Sequence, residues 1–232
     1  MQILSQLLNH IHLSWKSIFA DFPNNTFGGI VDGKQNLLQN RMAKYIHIDH
    51  PQVVEYAVNI LEKGGVIVYP TDTLYGFGVD ATNSAAIEKI NKIKGRSGSM
   101  SVTAANITMA LGWVDITNMQ TELIEPYLGG TQTIIVPVKP NIVSSKILGE
   151  YNTLGIRIPN NKFCNELSFQ FGKPIVSTSV NRTSEQPMND PVQIESEFSS
   201  EVDIIIDAGT LSVSTGSTIY KFIDNKIILI RK

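Results

Sequence analysis

Cysteine is almost missing: Cys164 is alone among 232 residues, so no intramolecular disulfide can form. Histidine is scarce as well. His10, His12, His47 and His50 come without a cysteine or carboxylate at metal-ligand spacing, so no structural zinc is expected and a reducing compartment fits. Excess charge is also lacking. Nineteen basic against twenty-one acidic residues leave a net charge of −2, so no global positive field announces a nucleic-acid partner, although a local basic patch stays open. Apolar runs such as Ile227 to Ile230 fall far short of the roughly 18 to 20 residues that cross a bilayer. No arginine precedes Arg41, and the chain opens with neither a basic start nor a continuous apolar stretch, so no targeting segment is expected. A soluble globular protein of the cytoplasm, with no membrane partner, is expected.

The 42% hydrophobic content supplies a core for one large domain or two small ones. Leu4, Leu7, Leu8, Ile11, Trp15, Ile18 and Phe19 recur at helical spacing and predict an amphipathic helix over residues 2–20. Residues 23–40, rich in Asn, Gly and Gln, read as a linker. An N-terminal extension over 1–41 and one main domain over 42–232 are therefore expected. Either the extension docks as an accessory or translation begins at Met42.

Within the main domain, Pro51 is expected at the first position of a helix over roughly 51–63, with Val54, Ala57, Val58 and Leu61 on one face and Gly64-Gly65 as its stop. Val66 to Tyr69 reads as a strand buried on both faces. Asn83 or Ser84 caps a second helix with Ala86, Ile87, Ile90 and Ile93 inward and Glu88 paired to Lys92. Further strands are expected at 133–138, 155–158, 175–180, 202–206, 217–222 and 227–230, the last two as a hairpin around Asp224-Asn225, and a helix over 162–171. Helices and strands alternate, so the class is α/β with a mixed, twisted sheet.

Several segments carry chemistry. Gly76-x-Gly78-x-x-Ala81 fits a dinucleotide fingerprint in letters, but its first glycine comes too late after the strand and no acidic residue closes a second strand about 20 positions on. Lys94 and Arg96 stand where a helix runs out into a Gly- and Ser-rich loop. They either offset the helix dipole or clamp an anion, for which a guanidinium fork and a compact ammonium are suited. Ser177, Ser179 and Asn181 share one face at a strand's C-terminal end, the edge at which open α/β sheets bind ligands. Arg157 points away from its isoleucine neighbours, toward solvent or an anion, and Ser217-Thr218 follows a glycine-containing loop able to approach a phosphate.

Taken in order, Tyr69-Pro-Thr-Asp-Thr-Leu-Tyr-Gly76, Lys94-x-Arg96, Gly155-Ile-Arg-Ile-Pro159, Ser177-Thr-Ser-Val-Asn181 and Ile206-Asp-Ala-Gly209 with Ser217-Thr-Ile219 resemble the YrdC-like threonylcarbamoyl-AMP synthases. The resemblance covers roughly Lys44 to Ile230. It implies a single domain whose twisted mixed sheet, flanked by helices, encloses a concave ligand cavity. It also implies a reaction of L-threonine, bicarbonate and ATP, with Mg2+ on the phosphates, to threonylcarbamoyl-AMP and pyrophosphate. A transferase partner then passes the group to tRNA. By the same resemblance Thr71 and Arg157 meet threonine, and Lys94 and Arg96 serve as catalytic residues on the triphosphate. Thr133, Ser177, Ser179, Asn181 and Ser217 contact ATP, and no protein-ligated metal is implied.

The chain departs from the family pattern at Ser97-Gly98-Ser99-Met100, where the loop is shorter and lacks a second lysine, at Gly129-Gly130-Thr131, and at Arg182-Thr183-Ser184. Two other readings compete: an RNA-binding protein of the same fold with Lys89, Lys92, Lys94 and Arg96 on phosphates, and the related hydrogenase-maturation carbamoyltransferase domain, whose cysteine-rich modules are not found in this sequence.

Overall fold

A ten-stranded mixed sheet organises residues 42–232, the part of the chain that this computed structural model describes. The helix expected over 2–20 and the linker over 23–40 lie outside the described residues. In chain order the elements are β1 (Lys44–His47), α1 (Val53–Glu62), β2 (Ile67–Pro70), β3 (Tyr75–Gly78), α2 (Ser84–Lys94), β4 (Ser101–Thr103), α3 (Ile107–Trp113) and α4 (Asn118–Ile124). There follow β5 (Gln132–Pro137), β6 (Thr153–Arg157), α5 (Lys162–Phe171), β7 (Ile175–Ser179), α6 (Pro191–Phe198), β8 (Ile204–Asp207), β9 (Thr218–Ile223) and β10 (Lys226–Arg231). Their order across the sheet is β1-β8-β2-β3-β7-β4-β6-β5-β9-β10. Parallel pairs (β1 with β8, β8 with β2, β4 with β6, β5 with β9) are mixed with antiparallel ones, so the expected mixed α/β class is the one observed.

The sheet is covered differently at its two ends. Toward β1, Ile67, Tyr69, Ile204 and Ile206 pack on one face beneath α1 and α5, while Val68 and Ile205 join the larger core on the other face. That two-sided burial is why β2 reads as a continuous apolar run. Toward β10 the strands alternate strictly. Ile134 and Val136 of β5, Leu154 and Ile156 of β6 and Val102 of β4 enter the larger core. Their neighbours Thr133, Ile135, Thr153, Gly155, Arg157 and Ser101 turn to the opposite face and line a cavity. The period of two thus separates core from site along each strand.

Helix α2 delivers an exposed cation of that site. Asn83 caps it through its side-chain oxygen, which accepts from Ala85 N and Ala86 N, and Ala86, Ile87, Ile90 and Ile93 are buried as their spacing predicts. Gly95 ends it at φ 67°, a left-handed conformation that glycine adopts without a Cβ penalty, and Arg96 N then reaches Asn91 O at 3.1 Å. Arg96 emerges just past this turn.

Three local expectations change. Helix α1 begins at Val53, not at Pro51, because His50 already organises a turn: its Nδ1 accepts from Gln52 N and its carbonyl from Val53 N. Glu88 pairs with Lys146 at 2.6 Å instead of with Lys92. Gly76 and Gly78 lie inside β3, antiparallel to β2, so no glycine turn opens a helix there and a dinucleotide fingerprint has no structural basis. The hairpin is as expected, with Asp224 and Asn225 both at positive φ.

Candidate active site

The cavity on the exposed sheet face measures about 520 Å³, within the range of small-molecule sites. Its lining includes Thr71, Arg96, Thr133, Arg157, Ser177, Ser179 and Ser217 from the expected set. Residues from widely separated parts of the sequence thus meet in one hollow, and Arg96 and Ser179 share it.

One wall is the turn after β2. Thr71 Oγ1 donates to Leu74 O at 2.7 Å and accepts from Thr73 N and Leu74 N, so its hydroxyl folds the turn while its side chain faces the cavity. Asp72 is drawn inward. Its carboxylate pairs with the Arg157 guanidinium and accepts from Asn160 N at 2.9 Å. Arg157, only 6% exposed, also donates to Thr73 Oγ1 at 3.2 Å, yet its buried Nε has no partner. An unmet donor on a charged group beside a cavity is costly unless a ligand supplies an acceptor. Nearby Cys164 is buried, donates to Pro70 O and has its thiol pushed up by burial, which removes it from nucleophilic chemistry.

The opposite wall is the end of β7. Lys94 is only 3% exposed, and its Nζ donates to Ser179 O (2.7 Å), Asn181 O (3.0 Å) and Asn181 Oδ1 (3.0 Å). Ser179 Oγ donates to the same Asn181 oxygen at 2.6 Å, and Asn181 Nδ2 donates to the carbonyls of Arg182 and Glu185. All three ammonium protons are therefore used within the protein. The expected pair divides in two: Arg96 lines the cavity, whereas Lys94 and Asn181 lie behind its wall and fix the strand end that presents Ser177 and Ser179. The helix-dipole reading of Lys94 does not describe it either, since its partners belong to β7 and the segment after it.

The floor runs across β4, β6, β5 and β9. Thr133 is 1% exposed and shares a hydrogen bond of 2.7 Å with Ser217 Oγ. A Cβ at position 155 would lie 2.5 Å from Ser101 Oγ, so Gly155 keeps the floor flat. Lys221, Arg231 and Glu150 also line the cavity and were not singled out from sequence. Parity offers a signal for one of them: Ser217, Ile219 and Lys221 alternate on β9 and its approach, so a cavity-facing Ser217 implies a cavity-facing Lys221. Arg231 donates to Ser217 O at 3.0 Å.

Arg182, a departure from the family pattern, donates to Ile93 O at 2.8 Å and pairs with Glu197 and Glu201, tying α6 to the end of α2. The four cations considered for RNA do not form a free patch. Lys89 donates to Gly64 O at 2.6 Å and Lys94 is buried. Among the described residues no group of three His, Cys, Asp or Glu side chains is placed to hold a metal ion, and no helix is long and apolar enough to cross a membrane.

Comparison with known proteins bears on the family and the fold. The Sua5, YciO and YrdC family model, described as telomere recombination, matches residues 59–232. A Methanocaldococcus jannaschii protein, named provisionally as a threonylcarbamoyl-AMP synthase, is 30% identical over 200 residues, covering 84% of this chain and 94% of that one. The crystal structure of E. coli YciO superposes with a TM-score of 0.72 at 28% identity, over 82% of this chain and 94% of its own. P. abyssi Sua5, solved with L-threonine, superposes with a TM-score of 0.73 at 21% identity, and the match spans 57% of that longer chain.

Proposed function

This chain belongs to the Sua5, YciO and YrdC family, and from that premise we propose that it synthesises L-threonylcarbamoyl-AMP from L-threonine, bicarbonate and ATP. The observation that carries the reading is the charge of the cavity. In a protein of net charge −2, its lining gathers Arg96, Arg157, Lys221 and Arg231 against one acid, Glu150, with hydroxyls filling much of the rest. Such a hollow suits a polyanion with a polar, hydrogen-bonding body, as ATP is.

In the proposed reaction the threonine amine and bicarbonate give a carbamate and water. A carbamate oxygen then attacks the α-phosphate, the bond to the β-phosphate breaks, and pyrophosphate leaves. The protein contributes chiefly position and charge. Arg96 faces the developing phosphate charge from the loop after α2, and Arg157 offers its unpaired Nε to a carboxylate or carbamate oxygen of the amino-acid substrate. Ser177, Ser179, Thr133 and Ser217 hold the nucleotide from two walls, with Lys94 and Asn181 acting through Ser179 as positioning residues. Magnesium, which neutralises phosphate oxygens, is carried by ATP in this reading, since among the described residues no group of carboxylates is placed to hold it. A transferase that moves the threonylcarbamoyl group to tRNA is the partner this product requires.

Incubating the purified chain with ATP, L-threonine and bicarbonate in magnesium buffer tests the proposal by mass spectrometry. The mixed anhydride and threonine-dependent pyrophosphate are expected. Pyrophosphate release that ignores threonine, or none at all, overturns it.

A further inference from the structure

Lys221 is the cavity cation that neither the sequence motifs nor the protein's own hydrogen bonds account for. Arg157 is committed to Asp72 and Thr73, and Arg231 donates to Ser217 O. Lys221 has no ion pair or side-chain hydrogen bond among the described residues, although it lines the same cavity as Glu150.

Strand register places it accurately. Ser177 pairs with Ser101, Ser101 with Gly155, Gly155 with Ile135, and Ile135 with Lys221, so these five residues form one row across the floor. At about 4.8 Å per strand the row from Ser177 to Lys221 spans about 19 Å along the sheet. Arg157 stands one rung away and two strands over, about 12 Å from Lys221 between Cα positions. An amino acid held at Arg157 does not extend to Lys221, whereas a nucleotide does. Between the hydroxyl wall and Lys221 the floor holds only small or apolar side chains, Ser101, Gly155 and Ile135, which leave the space above them open to an anion approached by long side chains from both sides.

We infer that Lys221 is the second jaw of a phosphate clamp: it holds the polyphosphate of the bound nucleotide from the β9 wall, facing Arg96 on the other. This rests on the ATP reading above and adds to it a binding residue outside the family motifs. Glu150 then works against the same charge, and its removal favours the polyanion.

The test is titration calorimetry of ATP, AMP and inorganic tripolyphosphate into wild type, Lys221→Met, Glu150→Gln and, as a control on an exposed lysine outside the cavity, Lys226→Met, with thermal melts to confirm folding. Loss of one charge-assisted contact weakens binding by about tenfold. Lys221→Met should lose that much for ATP and tripolyphosphate, with AMP much less affected, and Glu150→Gln should bind ATP a few-fold tighter. Lys226→Met should match wild type. If wild type binds ATP but Lys221→Met binds it equally well, or loses AMP as much as ATP, the clamp is wrong while the ATP reading stands. If wild type binds neither ATP nor tripolyphosphate, both fail together. Should Lys221→Met melt early, Glu150→Gln decides: ATP binding unchanged from wild type removes the phosphate from this end of the cavity.

Discussion

The ammonium of Lys94 donates to the side-chain oxygen of Asn181 at 3.0 Å, inside the wall of the cavity instead of in its opening. The two residues of the Lys94-x-Arg96 motif therefore have separate duties, and substitution distinguishes them. Lys94→Met takes the ammonium donor from the carbonyls of Ser179 and Asn181 and leaves the Asn181 side-chain oxygen with Ser179 Oγ alone, at a cost of about 2–3 kcal/mol of stability. Arg96→Ala, at an exposed position, shifts stability by less than about 0.5 kcal/mol yet weakens ATP binding. Urea denaturation paired with ATP titration separates the two outcomes. Equal stability of both variants contradicts this division.

Lys94 also sets a pH dependence. Burial, and then the neighbouring Arg96 guanidinium, lower its ammonium from 10.5 to about 8. Between those values the unfolded chain still holds a proton that the folded chain has released, so this residue makes unfolding harder as pH rises from about 8 toward 10.5. Ligand binding runs the opposite way. Losing the proton removes one of the bonds that fix Ser179 and Asn181, so ATP affinity falls above pH 8. Denaturation and titration at pH 7 and 9.5, on wild type and Lys94→Met, should show the stability gap widening in favour of wild type while its affinity advantage shrinks. Parallel pH responses in both proteins remove Lys94 as the cause.

Asp72 and Arg157 form a buried pair, with side chains 8% and 7% exposed. Removing one partner strands the other charge. Asp72→Asn should cost about 3 kcal/mol, and the double variant Asp72→Leu with Arg157→Met should lose less than Asp72→Leu alone. A denaturant double-mutant cycle measures this. Additive losses across the cycle show that the pair is not coupled.

Gly155 is required by closeness. Alanine there meets Ser101 Oγ at 2.5 Å and Thr133 Cγ2 at 3.2 Å. Gly155→Ala should destabilise by about 1–3 kcal/mol and weaken ATP binding, and adding Ser101→Gly should recover part of the stability. Failure of that second change to help, by thermal melting, assigns the cost to something other than this contact.

Much of the framework could be read before any coordinates. The capping oxygen of Asn83, the apolar face of α2, the two-sided burial of β2 and the Asp224-Asn225 hairpin follow from local chemistry that long-range packing did not override. The short strands β1, β3 and β4 and the helices α3, α4 and α6 were harder to see. β3 carries the motif glycines and reads as a loop, and β4 has only three residues with too little pattern to register. Within the site, alternation along β6 correctly turned Arg157 away from its isoleucine neighbours. Spacing alone, however, does not reveal that Asp72 lies across from Arg157, 85 positions away, or that Lys94 spends its protons on the end of β7. Both depend on which strands become neighbours. Lys221 and Arg231 belong to no motif and their hairpin shows only strand character in sequence, although Ser217 marks the parity that faces the cavity.

The most direct test concerns the single nucleotide site shared by two walls. ATP is titrated into wild type, Arg96→Ala, Ser179→Ala and the double variant by calorimetry. Each single change should weaken binding by roughly tenfold, and the double change should leave no measurable heat. Wild-type affinity in either single variant would contradict a shared site.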